Sequence, residues 1–469
     1  MKRSGVALIA LAFSISSASL HAESLRDIYE LALENDAQLK AEEAQYLAGL
    51  ESEKLSLSRL LPQINANYDY TDTDQDVEGE GFDFTGDVTV IETFTNTDVS
   101  RDGYQVSLNQ ALFDLPAWFG FQSGKELTKQ AEATFAANQQ NLVVRVVEAY
   151  LLVLRAQDNL SASSAQERAF ERQLEQTQQR FEVGLIAITD VYEAQAARDL
   201  AQVDRIVDEN NVSVALERLT ILTGRSHSNL DVLQEDFEIK MPDPLDRAAW
   251  VDFAMENNFT LAAARYAEEA SRQNAKANKS AHAPTIRGSY AYSDYSTEGD
   301  LTRKPETQFD NSPDNDTDIN TWQIRLDLPL YSGGAISSNR RRAAQEFNAS
   351  RENRINLTRN VVTNTRSLHM TVISDVSRVA ARKQSIVSSR SALDATQAGY
   401  EVGTRNVVDV LNAQNTLFSA ERDYANTRYD YILDIMRLKE QAGLLSPEDI
   451  NSLDSYLETP PPPTATSTK

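Results

Sequence analysis

The chain has 469 residues, no cysteine and a formal net charge of −25. Without cysteine there is no disulfide framework and no lipidated N-terminal cysteine, so any membrane attachment must come from the fold itself. Acidity of this size speaks against nucleic acid or an anionic membrane surface as a partner.

Lys2 and Arg3 precede an apolar run from Val6 to Ile15, followed by small residues and then Leu20-His21-Ala22. This is the pattern of a secretory signal cut after Ala22. The apolar run is too short for a membrane span, which takes about 20 residues. The mature chain is expected to leave the cytoplasm, and no later apolar run has spanning length.

The remainder repeats itself. Ala32, Glu34, Asn35 and Leu39 return as Ala254, Glu256, Asn257 and Leu261, an offset of 222. Pro62, Ile64, Tyr68, Tyr70 and Asp72 return as Pro284, Ile286, Tyr290, Tyr292 and Asp294, again at 222. Phe181-Glu182-Val183-Gly184 with Asp190-Val191 returns as Tyr400-Glu401-Val402-Gly403 with Asp409-Val410, at 219. Solenoid repeats run roughly 20–50 residues, so this period marks a duplicated half-molecule. The expected organisation is a signal over 1–22, repeats over 23–230 and 231–445, and a Pro/Thr-rich tail over 446–469.

Within the first repeat, Ile64, Ala66, Tyr68 and Tyr70 alternate with Asn65, Asn67 and Asp69, and Tyr104, Val106 and Leu108 alternate with Gln105, Ser107 and Asn109. These are half-buried strands of about ten residues. Their recurring aromatic residues suit the girdles of outer-membrane barrels. Between them, Thr71 to Asp102 is rich in Gly, Thr and acids and reads as a solvated outward loop. The long segment from Ala117 to about Phe181 contains no proline and follows Pro116, which suits a helix start. Val146, Ala149, Val153, Ala156, Leu160, Ser163, Glu167, Phe170, Leu174, Thr177 and Phe181 keep an unbroken 3-4 spacing. That spacing is a coiled-coil seam. Its polar members suit packing among several helices with one face wet. Val183-Gly184-Leu185 closes this helix, and a returning helix runs from about Ile188 to Leu222.

The second repeat has the same plan. Ile286, Tyr290 and Tyr292, then Trp322, Ile324, Leu326 and Leu328, mark two strands around an acidic segment from Asp294 to Asp318. A helix from about Ala335 to Tyr400 carries Leu368, Val372, Val379, Ile386 and Leu393 in register. Val402-Gly403-Thr404 turns the chain into a helix from about Val407 to Leu444. The fold class is mixed α+β. Two repeats supply about four spanning strands, too few to close a barrel, and an open sheet edge cannot sit in lipid. If the strands span, several chains share one barrel, and three would give twelve strands.

The tip runs Gln179 to Val191 and Gly399 to Leu411 carry the most specific likeness. With Leu60-Leu61-Pro62-Gln63 and Leu328-Pro329-Leu330-Tyr331-Ser332-Gly333-Gly334, they resemble the TolC family of outer-membrane channel-tunnels in Gram-negative bacteria. The likeness covers about Ser24 to Leu444. It implies a homotrimer with a shared twelve-stranded β-barrel in outer-membrane lipid and a periplasmic helical tunnel. It also implies docking with a periplasmic adaptor (a membrane fusion protein) and an inner-membrane RND, ABC or MFS transporter, for drug efflux and type I secretion. No cofactor is expected.

Residue by residue, Thr189 and Asp190 match family positions on the first hairpin that bond to the second, and Tyr400 and Arg405 match their partners. Charge-assisted Asp-Arg bonds with a Tyr hydroxyl are strong yet breakable, as a gate requires. The same place near a helix start also suits Asp190 to capping or to the macrodipole alone. Gly184, Leu185, Gly403 and Thr404 form the tips expected to meet the adaptor. Asp409 matches a family position that makes an acidic ring at the tunnel entrance. One turn later the family has a second Asp, and here Asn412 stands. That change lowers the expected ring charge from about six to about three and weakens cation binding.

A structural coiled coil or adhesin without transport would explain the long helices, but not the alternating strands or the duplicated tips. A secreted hydrolase has little support. His21, His227, His282 and His369 are scattered, and no nucleophile elbow, phosphate loop or metal-ligand spacing is present.

Overall fold

The computed structural model describes residues 22–83, 86–305 and 313–460. The expected signal before Ala22 and the end of the tail lie outside the described residues. In chain order the elements are α1 (Leu25–Asn35), α2 (Ala37–Ser58), β1 (Gln63–Asp83), β2 (Thr89–Phe113), α3 (Leu115–Glu182), α4 (Ile188–Thr223) and β3 (Val232–Leu233). Then come α5 (Arg247–Asn257), α6 (Phe259–Lys279), β4 (Thr285–Lys304), β5 (Asn315–Asp327), α7 (Ala335–Glu401), α8 (Val407–Gln441), α9 (Pro447–Asp454) and β6 (Leu457–Glu458). The order of two helices, two strands, a long helix and a returning helix thus occurs twice. By contacts the chain forms two compact units, each drawing on both halves. One is Met1–Glu43, Phe135–Phe259 and Arg359–Lys469; the other is Ala44–Thr134 and Thr260–Thr358.

The second unit holds an antiparallel sheet of order β1-β2-β4-β5, with β1 and β5 at its edges. Register places the expected alternation on one face. Ile64 pairs with Leu108, Tyr68 with Tyr104, Val106 with Tyr292 and Tyr290 with Trp322. The Tyr290 and Trp322 rings lie 4.5 Å apart, and those of Tyr104 and Tyr292 lie 6.0 Å apart. Trp322 is 79% exposed and Ile64 69% exposed, so this face of the chain is apolar and open. A face of that kind needs a cover, either lipid or another surface.

The strands are longer than alternation in the sequence indicates. They run 21, 25, 20 and 13 residues, so most of Thr71–Asp102 and Asp294–Asp318 is strand rather than loop. Thr and Val favour the pleat, and both faces are accessible enough to leave the carboxylates solvated. On the face that is apolar up to Tyr70, the next same-side residues are Asp72, Asp74, Asp76, Glu78 and Glu80. Polar cross-strand bonds join the rows there. Asn96 Nδ2 donates to Asp76 at 2.8 Å, the Tyr68 hydroxyl donates to Asp102 at 3.1 Å, and that of Tyr292 donates to Asp318 at 3.1 Å.

The first unit is mostly helical. α3, which belongs to it from Phe135 onward, runs 68 residues, about 100 Å at 1.5 Å per residue. The seam predicted from spacing is largely buried: Val146, Ala149, Val153, Ala156, Ser163, Phe170 and Thr177 all lie inside. Around Tyr150 the main core gathers α1, α3, the end of α4, α8 and α9 through Leu25, Ile28, Leu219, Ile432 and Ile450. The buried Tyr150 hydroxyl donates to the Asp231 carbonyl at 2.8 Å, and Arg145 pairs with Asp36 at 2.6 Å. The expected tail begins inside this core. Pro447 opens α9, the Ser446 N–H donates to Asp449 Oδ2 at 2.9 Å, and β6 pairs with β3. Residues 446–458 are therefore part of the folded body. No described helix is long and apolar enough to cross a membrane.

Candidate functional site: the two hairpin tips

Each long helix ends in the same turn. At the first, the Gly184 N–H donates to the Phe181 carbonyl at 2.8 Å and the Leu185 N–H to that of Arg180 at 2.9 Å. At the second, Gly403 donates to Tyr400 at 3.1 Å and Thr404 to Gly399 at 2.9 Å. This paired pattern is the Schellman closure, and it requires a left-handed residue. Gly184 and Gly403 both have φ +77, and a Cβ added at either would meet nothing within 4 Å. Val183, Leu185 and Val402 are 70%, 72% and 76% exposed, which makes the turns apolar knobs.

Beyond the turn the copies diverge. α8 begins at the N-cap Asn406, whose Oδ1 accepts from the Asp409 N–H at 2.8 Å, while the Asn406 N–H donates to Asp409 Oδ2 at 3.4 Å. That is a capping box. α4 begins at Ala187, which has no side chain to cap with. Asp190 sits where Asp409 sits in the other copy, at the third helical position. Its carboxylate makes no hydrogen bond or ion pair among the described residues. The capping reading of Asp190 therefore reduces to its charge near the helix start.

Four helices meet just above the turns. Phe170 of α3, Ala201 of α4, Tyr400 of α7 and Val407, Val410 and Leu411 of α8 form a small buried cluster. Tyr400 is 7% exposed, and its hydroxyl is buried without a hydrogen-bond partner among the described residues. The Arg180 guanidinium lies 4.6 Å from the centre of its ring, a cation–π contact. Beside them is a cavity of about 460 Å³ lined by Gln173, Gln176, Gln179, Gln397 and Glu401. Arg405 lies 3.7 Å from Asp409 of the same chain and is 60% exposed. Within one chain, then, Arg405 meets Asp409 and Tyr400 meets Arg180. Among the described residues, Thr189 and Asp190 make no hydrogen bond or ion pair with either Arg405 or Tyr400. Asn412 is exposed on α8, and its carbonyl accepts from Thr416 at 2.8 Å. Arg180 is the tip residue that sequence reasoning left without a role, although it lies inside the quoted run.

Residues 28–225 and 250–444 match the Outer membrane efflux protein family, one match to each half. The chain belongs to the outer membrane efflux protein family. The Vibrio cholerae outer membrane protein TolC is 34% identical to it over 98% of this chain and 99% of that protein. The Pseudomonas aeruginosa alkaline protease secretion protein AprF is 29% identical over 91% of this chain and 85% of its own. Among solved structures, the Campylobacter jejuni CmeC outer membrane channel superposes with a TM-score of 0.72 at 15% identity, covering 98% of both chains. This member is accordingly an outer-membrane exit duct of a Gram-negative bacterium with a large periplasmic part. Its family is one of channels rather than enzymes.

Proposed function

We propose that three copies of this chain form the exit duct of drug-efflux and type I secretion machines. The observation that carries the assembly is the four-stranded sheet, which among the described residues has an exposed apolar face and unpaired edges at β1 and β5. In hydrocarbon each unpaired backbone group costs several kcal/mol, roughly, so a lipid-facing sheet must close. Three copies give twelve strands, and pairing β5 of one copy with β1 of the next removes every edge.

In this reading 23–230 and 231–445 are the two structural repeats, and their helical hairpins build the periplasmic tunnel. The apolar knobs at Gly184-Leu185 and Gly403-Thr404 are the surfaces for a periplasmic adaptor, which couples the duct to an inner-membrane RND, ABC or MFS transporter. The name of the protease-secreting relative supports the secretion role. The gate joins Thr189 and Asp190 of one hairpin to Tyr400 and Arg405. Asp190 is uncapped and Arg405 is exposed, which leaves both able to pair across a subunit boundary. Asp409 forms the entrance ring, with Asn412 in place of a second acid.

Deleting the gene should sensitise cells to exported drugs and abolish secretion of repeat-containing proteins. The intact gene should restore both. A deletion strain with unchanged resistance and unchanged secretion would refute the export role.

A further inference from the structure

The first unit buries an acid that export does not use. Asp375 of α7 is fully buried, and neither of its carboxylate oxygens receives a hydrogen bond from the described residues. Arg378 Nη2 lies 2.7 Å from Oδ1, but not in a hydrogen-bonding direction. The ion pairs of Arg378 with Asp430 and of Arg382 with Asp423 set α7 antiparallel against α8, in a register that places Asp434 beside Asp375. Two ionised carboxylates are both acceptors, so a contact between them lacks a hydrogen.

The surroundings do not supply enough positive charge to ionise both. Arg378 also reaches Asp430 of α8, at 3.6 Å. Arg155 of α3 holds Asp430 at 2.5 Å. Arg437 of α8 lies 3.8 Å from Asp434 and 3.2 Å from Glu148 of α3. Four carboxylates therefore face three guanidiniums, and one bound proton makes the set neutral. Burial pushes Asp375 up to about 6, with Arg378 pulling down and Asp434 pushing up again. Burial raises Asp434 as well. Close buried carboxylates sharing one proton behave this way in general.

We propose that Asp375 and Asp434 share one proton and so form a pH-sensitive tie between α7 and α8, holding while the proton is shared and loosening when both groups ionise. The proton comes from solvent; one O–H donates to the other carboxylate, and no other bond changes. The tie sits on the helices that carry Tyr400, Arg405 and Asp409 at their tip. Because the folded value is raised, its stabilisation is full below the ordinary carboxylate range and is lost as pH rises through about 6.

The test uses the full-length protein in mild detergent. From about pH 5 to about pH 8 the parental melting midpoint should fall, whereas Asp375→Asn, whose amide supplies the missing hydrogen, should stay flat. In infrared difference spectra the protonated-carboxyl band should vanish over the same window and be absent from Asp375→Asn. Arg378→Gln should move the transition to higher pH, because a cation that favours ionisation is gone. Should Asp375→Asn fail to fold, Asp434→Asn takes its place with the same expectation. A variant that keeps the parental slope and band overturns the proposal. Conductance in planar bilayers separates the tie from the export reading: parental current should rise with pH while the variant stays flat. A flat parental current beside an intact melting transition would remove the gate from the tie.

Discussion

The two hairpin tips share a turn and differ in the residues just beyond it. Both turns close through a glycine at φ +77 with the same pair of backbone bonds. After the second, Asn406 and Asp409 lock the start of α8 in a capping box, and Arg405 leans on Asp409 at 3.7 Å. After the first, Ala187 caps nothing, and Asp190 is left without a partner among the described residues. The two tips share the turn, and only the first leaves its carboxylate outside a cap. An acid already engaged in a cap is a poor latch, and one left out of a cap can bond elsewhere.

The largest effect is expected at the shared turn. Gly403→Leu forces a side chain into the left-handed region at about 1–2 kcal/mol. Space is open there, so the chain should still assemble while export is largely lost. Normal drug resistance in this variant would count against docking at the tips. Next is the latch. Arg405→Ser with Tyr400→Phe should raise single-channel conductance in planar bilayers several-fold, and unchanged conductance would leave these residues a purely structural role.

The capping difference itself can be reversed. Asn406→Ala should destabilise α8 by about 1 kcal/mol. Ala187→Asn should stabilise α4 by a comparable amount and draw Asp190 into a capping box, which would loosen the gate. Equal melting shifts of the same sign for the two variants would erase the comparison. The smallest effect belongs to the entrance ring. Trivalent cations on the periplasmic side should block current less in Asp409→Ala than in the parent, and more in Asn412→Asp. If Asp409→Ala is blocked as readily as the parent, the ring lies elsewhere.

Periodicity makes the helices legible. A helix expected from Ala117 to about Phe181 corresponds to α3, Leu115–Glu182, and the predicted turn glycines close their helices. Alternation locates the strands at Ile64–Tyr70 and Trp322–Leu328, with Leu328 just past the end of β5, but not their extent, because Asp- and Thr-rich sequence on a sheet with accessible faces looks like loop. The start of α9 is marked by Ser446-Pro447-Glu448-Asp449, a helix-opening pattern hidden within a tail-like composition. Contacts between distant segments leave no local trace. Arg180 over Tyr400, and Asp375 against Asp434, depend on which helices are neighbours rather than on spacing within one.

The central claim is that one chain supplies a third of a closed barrel. The most direct test is the mass of the intact particle, measured by native mass spectrometry after extraction from outer membranes in mild detergent. The account predicts three chains per particle. A single-chain particle, or protein recovered in the soluble periplasmic fraction, would contradict it.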